Sequence, residues 1–315
     1  MKAILLKDFG GTEQLELTEI PKPLIKDHEV LVRTKYISIN PIDVKTRSGK
    51  GQAERIKDKM PAILGWDVAG VVVEKGSQAD GISEGDEVFG QVNFPGPGGC
   101  YAEFVAASAQ HLAIKPGNTG FDEAAAASLA ALTAWQAIHR YGKVKAGNKV
   151  LIHAASGGVG HFAVQFCKYL GANVTGTSSA VNKEFVLSLG ADAHIDYSSG
   201  PFEEKISGVD FVLDTIGGDN IDRSLKVMKP GAVIVCLPSG LSESVGEKAK
   251  MAGMQGYKML VEPSKVDIQF IADLLAKKIL KPHVSRVFSF GEMAAAHKQL
   301  ESGKTVGKVV VKVSA

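Results

Sequence analysis

Cysteine is scarce in this chain: 315 residues include only Cys100, Cys167 and Cys236. Their wide spacing allows neither a disulfide framework nor a metal knuckle, which fits a reducing compartment. Long apolar runs are missing too. No stretch approaches the roughly 18 residues that a membrane-spanning helix needs, and the apolar start of MKAILLKDFGG stops at Lys7 and Asp8, too soon for a secretory signal. Neither sign of charge dominates: 36 basic residues stand against 34 acidic ones with no block of either, so nothing marks a nucleic-acid or membrane-surface partner. Repeats and low-complexity tracts are absent. These absences leave a protein expected to be soluble and cytoplasmic. Its 45% hydrophobic content is ample for a core in each of two domains.

Residues 1–118 read as β-rich. Segments 3–6, 15–17, 29–39, 68–73 and 87–89 are β-branched or alternating runs separated by glycine and proline turns. At Thr119 the composition shifts to FDEAAAASLAALTAWQAIHRYG, read as one alanine-rich helix opened by a Thr119–Asp122 capping box and closed by Gly142. Strands at 150–152, 193–197, 211–213 and 232–237 then alternate with helices at 184–189 and 221–228. That alternation predicts an α/β fold, a doubly wound parallel sheet over residues 119–263. From Ser264 a helix, a strand, a second helix and a final strand at 308–313 complete the chain.

The stretch 149–183, KVLIHAASGGVGHFAVQFCKYLGANVTGTSSAVNK, carries the chemistry. Its first strand stops at small residues followed by Gly157, Gly158 and Gly160. Apolar residues then recur at Val159, Ala163, Phe166, Cys167 and Leu170, a helical spacing that ends at Gly171, and Val174 opens a second strand. Strand, glycine turn, helix and strand form a βαβ unit. Such a turn lets backbone N–H groups approach a pyrophosphate with no Cβ in the way, while the helix N-terminus supplies partial positive charge. Ser156, Gly157, Gly158, Val159 and Gly160 are therefore the candidate cradle of a dinucleotide. In the pattern G-x-G-x-x-G the three positions are Ala155, Gly157 and Gly160, so one glycine is replaced. The plainer reading is a βαβ turn of a flavodoxin-like domain.

The end of the second strand selects the cofactor. NAD-binding chains place an acid about 20 residues on, where it accepts from the ribose 2′-hydroxyl and would repel a 2′-phosphate. Here Thr175-Gly176-Thr177-Ser178-Ser179 stands in that place, with no acid before Glu184 and with Lys183 close by. The hydroxyls of Thr177, Ser178 and Ser179 and the Lys183 ammonium suit a phosphate, so NADPH is expected rather than NADH. Ser178 and Ser179 can alternatively cap the next helix, and the two roles can coexist. His28, His111, His139, His194 and His297 lack ligand spacing, and His153 reads as a packed strand residue.

The segments EVLVRTKYISINPIDVKTRSG, PAILGWDVAGVV, GDEVFG, YAEFVA, LTAWQA, AASGGVG, GADAHIDY and GKVVV resemble, nearly end to end, those of the medium-chain dehydrogenase/reductase superfamily. Within it the chain is similar to the zinc-free quinone or enone oxidoreductases, the group that includes zeta-crystallin. The resemblance implies a GroES-like catalytic domain made of residues 1–118 and 264–315, a Rossmann cofactor domain of residues 119–263, and an active site in the cleft dividing them. It also implies reuse of the last strands in the first domain, and a homodimer. By the same resemblance Thr133 touches the nicotinamide half, Tyr197 packs near the adenine or 2′-phosphate, and the backbone at Leu237, Ser239 and Gly240 faces the carboxamide. The alternatives are a core-facing helix position for Thr133 and a simple strand residue for Tyr197.

In the zinc alcohol dehydrogenases of that superfamily the metal-ligand positions match Asn40, Trp66 and Leu129. Tryptophan and leucine do not bind zinc and no four-cysteine loop exists, so no metal is expected. Without a metal to polarise a carbonyl, the remaining reaction is hydride delivery to an already electrophilic carbon, the β-carbon of an enone or a quinone. Asn40 can donate from its amide to the developing oxyanion; its other reading is a turn residue before Pro41. Asp43 matches an acid found at that place across the superfamily and would fix local geometry. Trp66 would fill the vacated metal site and wall the pocket, or serve as a core tryptophan. The tyrosines that some quinone reductases carry after this motif are replaced by Val44, Lys45 and Lys50, which leaves the proton donor open. Two other functions stay open, an enoyl thioester reductase and an NADPH-binding protein without turnover in a structural or RNA-binding role. Lys183→Glu is expected to weaken NADPH far more than NADH in fluorescence titrations; equal weakening of both would put the 2′-phosphate elsewhere.

Overall fold

β-Branched runs set the framework. The computed structural model describes residues 1–314, and packing divides the chain into two units, Met1–Leu132 with Glu262–Ala315, and Thr133–Val261. In the first unit the eleven-residue strand Glu29–Ile39 is the organiser. It pairs antiparallel along one edge with Asp67–Lys75 and along the other with Phe104–Ser108 and Lys308–Lys312. The sheet runs Val284–Ser289, Lys308–Lys312, Glu29–Ile39, Asp67–Lys75, Glu87–Gln91, Leu112–Ile114. A smaller sheet joins Leu15–Glu19, Lys2–Leu6 and Ala62–Ile63. Val30, Val32, Ile37, Ile39, Val68, Val88, Val309 and Val311 fill the core. The last strand thus returns to the first sheet, as the resemblance implied, with Val310 opposite Ser38.

Where Glu29–Ile39 ends, the helix Pro41–Arg47 begins with proline at its first position, where no N–H is needed. The Asn40 N–H donates to Asp43 Oδ2 at 2.6 Å, closing the first turn.

The single helix expected after Thr119 is instead Phe121–Ala126 followed by Leu129–Gln136 and a π-helical turn Ala137–Gly142. Its cap also differs from the expected one. Gly120 is the N-cap and donates to Glu123 Oε2 at 3.0 Å, while the Thr119 N–H donates to the Pro116 carbonyl. The break has a physical cause. The Leu129 N–H donates to the buried Asp67 Oδ1 at 2.8 Å, which takes that N–H out of the helical ladder.

The second unit holds six parallel strands ordered Ala193–Asp196, Asn173–Ser178, Lys149–Ile152, Val209–Asp214, Met228–Cys236, Gln255–Lys258. In chain order this is 3-2-1-4-5-6, the doubly wound order of dinucleotide-binding sheets. Val150, Leu151, Ile152, Val212 and Leu213 are fully buried, as strands covered on both faces require. The helix Gly160–Tyr169 follows the first strand and ends at Gly171, whose φ of +78° is the left-handed value a C-terminal glycine takes. Among the described residues no helix is long and apolar enough to cross a membrane.

The glycines of the turn differ in what they permit. A Cβ on Gly160 would stand 2.2 Å from the Ala154 carbonyl oxygen and 2.8 Å from Ala155 Cα, whereas on Gly157 the nearest atom would be 3.2 Å away. The atoms crowding Gly160 are backbone and cannot swing aside. Gly160→Ala is therefore expected to destabilise the second unit by about 2 kcal/mol, read as a lowered melting temperature, and Gly157→Ala by less than about 1 kcal/mol. Equal melting temperatures for the two variants would contradict this account of the turn.

Candidate active site

The glycine turn starts with strain. Ala154 sits at φ +49°, a left-handed value uncommon for alanine. It is held there by bonds on either side: the Ala155 N–H donates to the Thr177 carbonyl at 2.8 Å and the Gly157 N–H to the Ala154 carbonyl at 2.9 Å. The N–H groups of Gly158 and Val159 find no backbone acceptor among the described residues, and they precede a ten-residue helix. Gly157, Gly158 and Val159 are partly exposed, while Ser156 and Gly160 are buried. Donors without acceptors at a helix N-terminus, with no Cβ before them, make an anion site.

The hydroxyls expected beside it point different ways. Thr177 and Ser178 are each 2% exposed. Thr177 Oγ1 lies 3.2 Å from His153 Nδ1, and Ser178 Oγ lies 2.8 Å from His194 Nε2. Both are engaged inside the protein. Ser179 is half-buried; its Oγ accepts from Asn182 Nδ2 at 3.1 Å, and the same amide nitrogen donates to Ser156 Oγ at 3.2 Å. Asn182, which the sequence motifs did not mark, thus ties the glycine turn to the end of the second strand. Ser179 is also the N-cap of the short turn Ala180–Asn182, though its side chain makes no capping bond. Lys183 is exposed at the first position of the helix Lys183–Ser188.

Tyr197 is 62% exposed just past the strand Ala193–Asp196. The Leu237 N–H donates to the Asp214 carbonyl, Ser239 is exposed nearby, and Thr133 is buried on the helix Leu129–Gln136. Burial holds His153 down to about 4, so it is neutral. Unpaired backbone donors, an amide, a hydroxyl and an ammonium, with no carboxylate from Thr175 to Lys183, fit a phosphorylated dinucleotide.

In the first unit Asn40 and Asp43 share a buried polar cluster with two residues the motifs did not single out, Asp67 and Lys308. Asn40 is 1% exposed, Lys308 3%, and both carboxyls are fully buried. Asn40 Nδ2 donates to Asp67 Oδ2 at 2.8 Å. Lys308 Nζ donates to Asn40 Oδ1 and to the Ile39 carbonyl, and lies 4.0 Å from Asp67 Oδ2. Burial pushes Asp43 up to about 8, against the pull of the Asn40 N–H, with the negative Asp67 adding to the rise. Burial likewise lifts Asp67 to about 6, with the Lys308 ammonium and the Asn40 amide holding it down. Lys308 is lowered by burial. The Tyr101 hydroxyl is close enough to Asp43 to lower its pKa, yet Asp43 Oδ1 has no hydrogen bond of normal geometry. Tyr101 Oη also lies 3.0 Å from His297 Nε2. Trp66 is fully buried, donating from Nε1 to the Gly96 carbonyl at 2.8 Å with its ring edge-on to Phe94. The missed signal was a charge inside an apolar strand run, as in GWDVAGVVV and GKVVVKV.

Zinc does not fit these residues. Among the described residues no group of three His, Cys, Asp or Glu side chains could hold a metal ion. Cys100, Cys167 and Cys236 are buried, free and separate.

Residues 26–117 match the family described as "Alcohol dehydrogenase GroES-like domain", and residues 189–311 the one described as "Zinc-binding dehydrogenase". The chain is 34% identical to an NADPH-dependent alkenal/one oxidoreductase of Arabidopsis thaliana, described as chloroplastic, over 99% of this chain and 79% of that protein. Its fold matches the quinone oxidoreductase of Coxiella burnetii with a TM-score of 0.96 and 37% identity, over 100% of this chain and 99% of the other. It also matches the Escherichia coli quinone oxidoreductase complexed with NADPH, with a TM-score of 0.88 and 27% identity, over 99% of this chain and 100% of the other. Joined to a doubly wound sheet and an acid-free strand end, these likenesses settle the family: the chain belongs to the quinone and alkenal/one oxidoreductases of the medium-chain dehydrogenase/reductase superfamily.

Proposed function

We propose that this chain catalyses the NADPH-dependent, metal-independent reduction of quinones or α,β-unsaturated carbonyls. The carrying observation is that Asn40, Trp66 and Leu129 offer no donor set for a metal, so activation of the acceptor rests on hydrogen bonding. When bound, NADPH supplies a hydride from nicotinamide C4 to the electrophilic carbon of the acceptor. The turn at Ser156, Gly157, Gly158, Val159 and Gly160 holds the pyrophosphate, and Ser179 and Lys183 take the 2′-phosphate. Thr177 and Ser178 act there by shaping the strand end, since their hydroxyls bond inward. Thr133 and the backbone at Leu237 and Ser239 receive the nicotinamide half, and Tyr197 the adenosine half.

Asn40 donates to the oxyanion that forms as hydride arrives, and the carbanion end of that enolate then takes a proton from water. Asp43 fixes the Asn40 backbone through its 2.6 Å bond. Trp66 supports the loop beneath through Gly96. The residue spans 1–118 with 264–315 and 119–263 are the proposed catalytic and cofactor domains.

A cytoplasmic location is supported by the three free, buried cysteines. A homodimer through the cofactor domain is supported by the edge strand Gln255–Lys258, which among the described residues pairs on one side only, with Met228–Cys236, and by the partly exposed Tyr257 on it. The balanced charge supports small molecules rather than nucleic acid or a membrane as partners. Loss of NADPH absorbance is expected with simple enones and with quinones, alongside saturable NADPH binding in a fluorescence titration. Binding without oxidation by any acceptor would favour a carrier or structural role, and oxidation by enoyl thioesters alone would make the chain an enoyl thioester reductase.

A further inference from the structure

The Asn40 side chain is read from two ends by groups with opposite hydrogen-bonding abilities. An ammonium can only donate, so the atom facing Lys308 Nζ must be the amide oxygen. An ionised carboxylate can only accept, so the atom 2.8 Å from Asp67 Oδ2 must be the amide nitrogen. Between them the amide has one allowed orientation. Lys308 is itself anchored by the Ile39 carbonyl at 3.2 Å, and Asp67 by the Leu129 N–H on its other oxygen at 2.8 Å. Neither clamp can drift without breaking a buried bond.

We propose that Lys308 and Asp67 are positioning residues for the reaction, acting through the Asn40 amide whose orientation they fix. This rests on the reading of Asn40 as the donor to the developing oxyanion. A donor misplaced by about 1 Å loses on the order of 100-fold in rate, so two buried charged groups far apart in sequence bear directly on turnover. The clamp works only while Asp67 is ionised, since a protonated Asp67 can present a donor to the amide nitrogen. The titratable groups around Asp67 are Lys308, which holds its pKa down, and Asp43, Cys100 and Tyr101, each of which is electrostatically coupled to it. Cys100 and Tyr101 are raised well above their usual values and stay neutral.

Lys308→Met, Lys308→Arg and the double variant Asp67→Asn with Lys308→Met separate positioning from mere support. Lys308→Met is expected to lower kcat about 100-fold with NADPH affinity unchanged. The acid limb of its kcat–pH profile moves to higher pH, because the ammonium that held Asp67 down is gone. Lys308→Arg, which keeps the charge, recovers most of kcat. The double variant carries no lysine–aspartate pair to break; it is expected to melt near the parent temperature yet keep the low kcat, and its kcat decides between positioning and support if Lys308→Met alone does not fold. Parental kcat in the folded double variant, or an unmoved acid limb in Lys308→Met, overturns the proposal. A parent that shows no NADPH oxidation with any enone or quinone offered strikes instead at the function proposed for the chain. In that case the Asn40 side-chain amide resonances decide on the clamp: they shift on loss of Lys308 if the clamp exists, and an unchanged pair of signals refutes it.

Discussion

Around Asn40 two fully buried carboxyls, Asp43 and Asp67, face one buried ammonium, Lys308, and most of what surrounds Asn40 follows from that imbalance. An unpaired ionised carboxylate in a protein core costs several kcal/mol. One lysine can balance one of them. Asp67 takes the larger share of Lys308 and of the Asn40 amide, and rises only to about 6. Asp43, farther from compensation, rises to about 8 and holds its proton at neutral pH. Its folded pKa lies above the ordinary value of 3.8, so the folded chain keeps a proton that the unfolded chain releases. The stability this group contributes is therefore full below about pH 4 and lost as pH rises through about 8, the reverse of a salt-bridged aspartate.

The second unit solves a different problem. In the function proposed here its ligand brings the negative charge, and the turn offers backbone donors rather than a cluster of cations. The inward bond of Thr177 to His153 pins the second strand beside the first, that of Ser178 to His194 pins it beside the third, and Asn182 bridges the turn to that strand end. The close approach of Gly160 to Ala154 sets where the helix starts, and with it where its free N–H groups lie.

Much of this was legible in the chain itself, and the exceptions share a cause. The strand Glu29–Ile39 and the βαβ unit were readable because long runs repeat one period many times. Ala62–Ile63 and Leu112–Ile114 are too short to show any period. The split of the helix after Thr119 was hidden because its cause, Asp67, lies 62 residues from Leu129. Lys308 and Asn40 are 268 residues apart, and only the return of the last strand brings them together. Composition could say that hydroxyls end the second strand, but which of them turn inward is a matter of pleat and partners, decided by His153 and His194.

The central claim is that this chain moves hydride to a carbon activated by conjugation and hydrogen bonding, with no metal. The fate of deuterium from NADPH labelled at nicotinamide C4, measured in the product of a simple enone with enzyme dialysed against a chelator, tests it most directly. The account predicts label on the β-carbon of a saturated ketone at a rate the chelator does not change. Label on the carbinol carbon of an allylic alcohol, or activity lost to the chelator and restored by zinc, would contradict it.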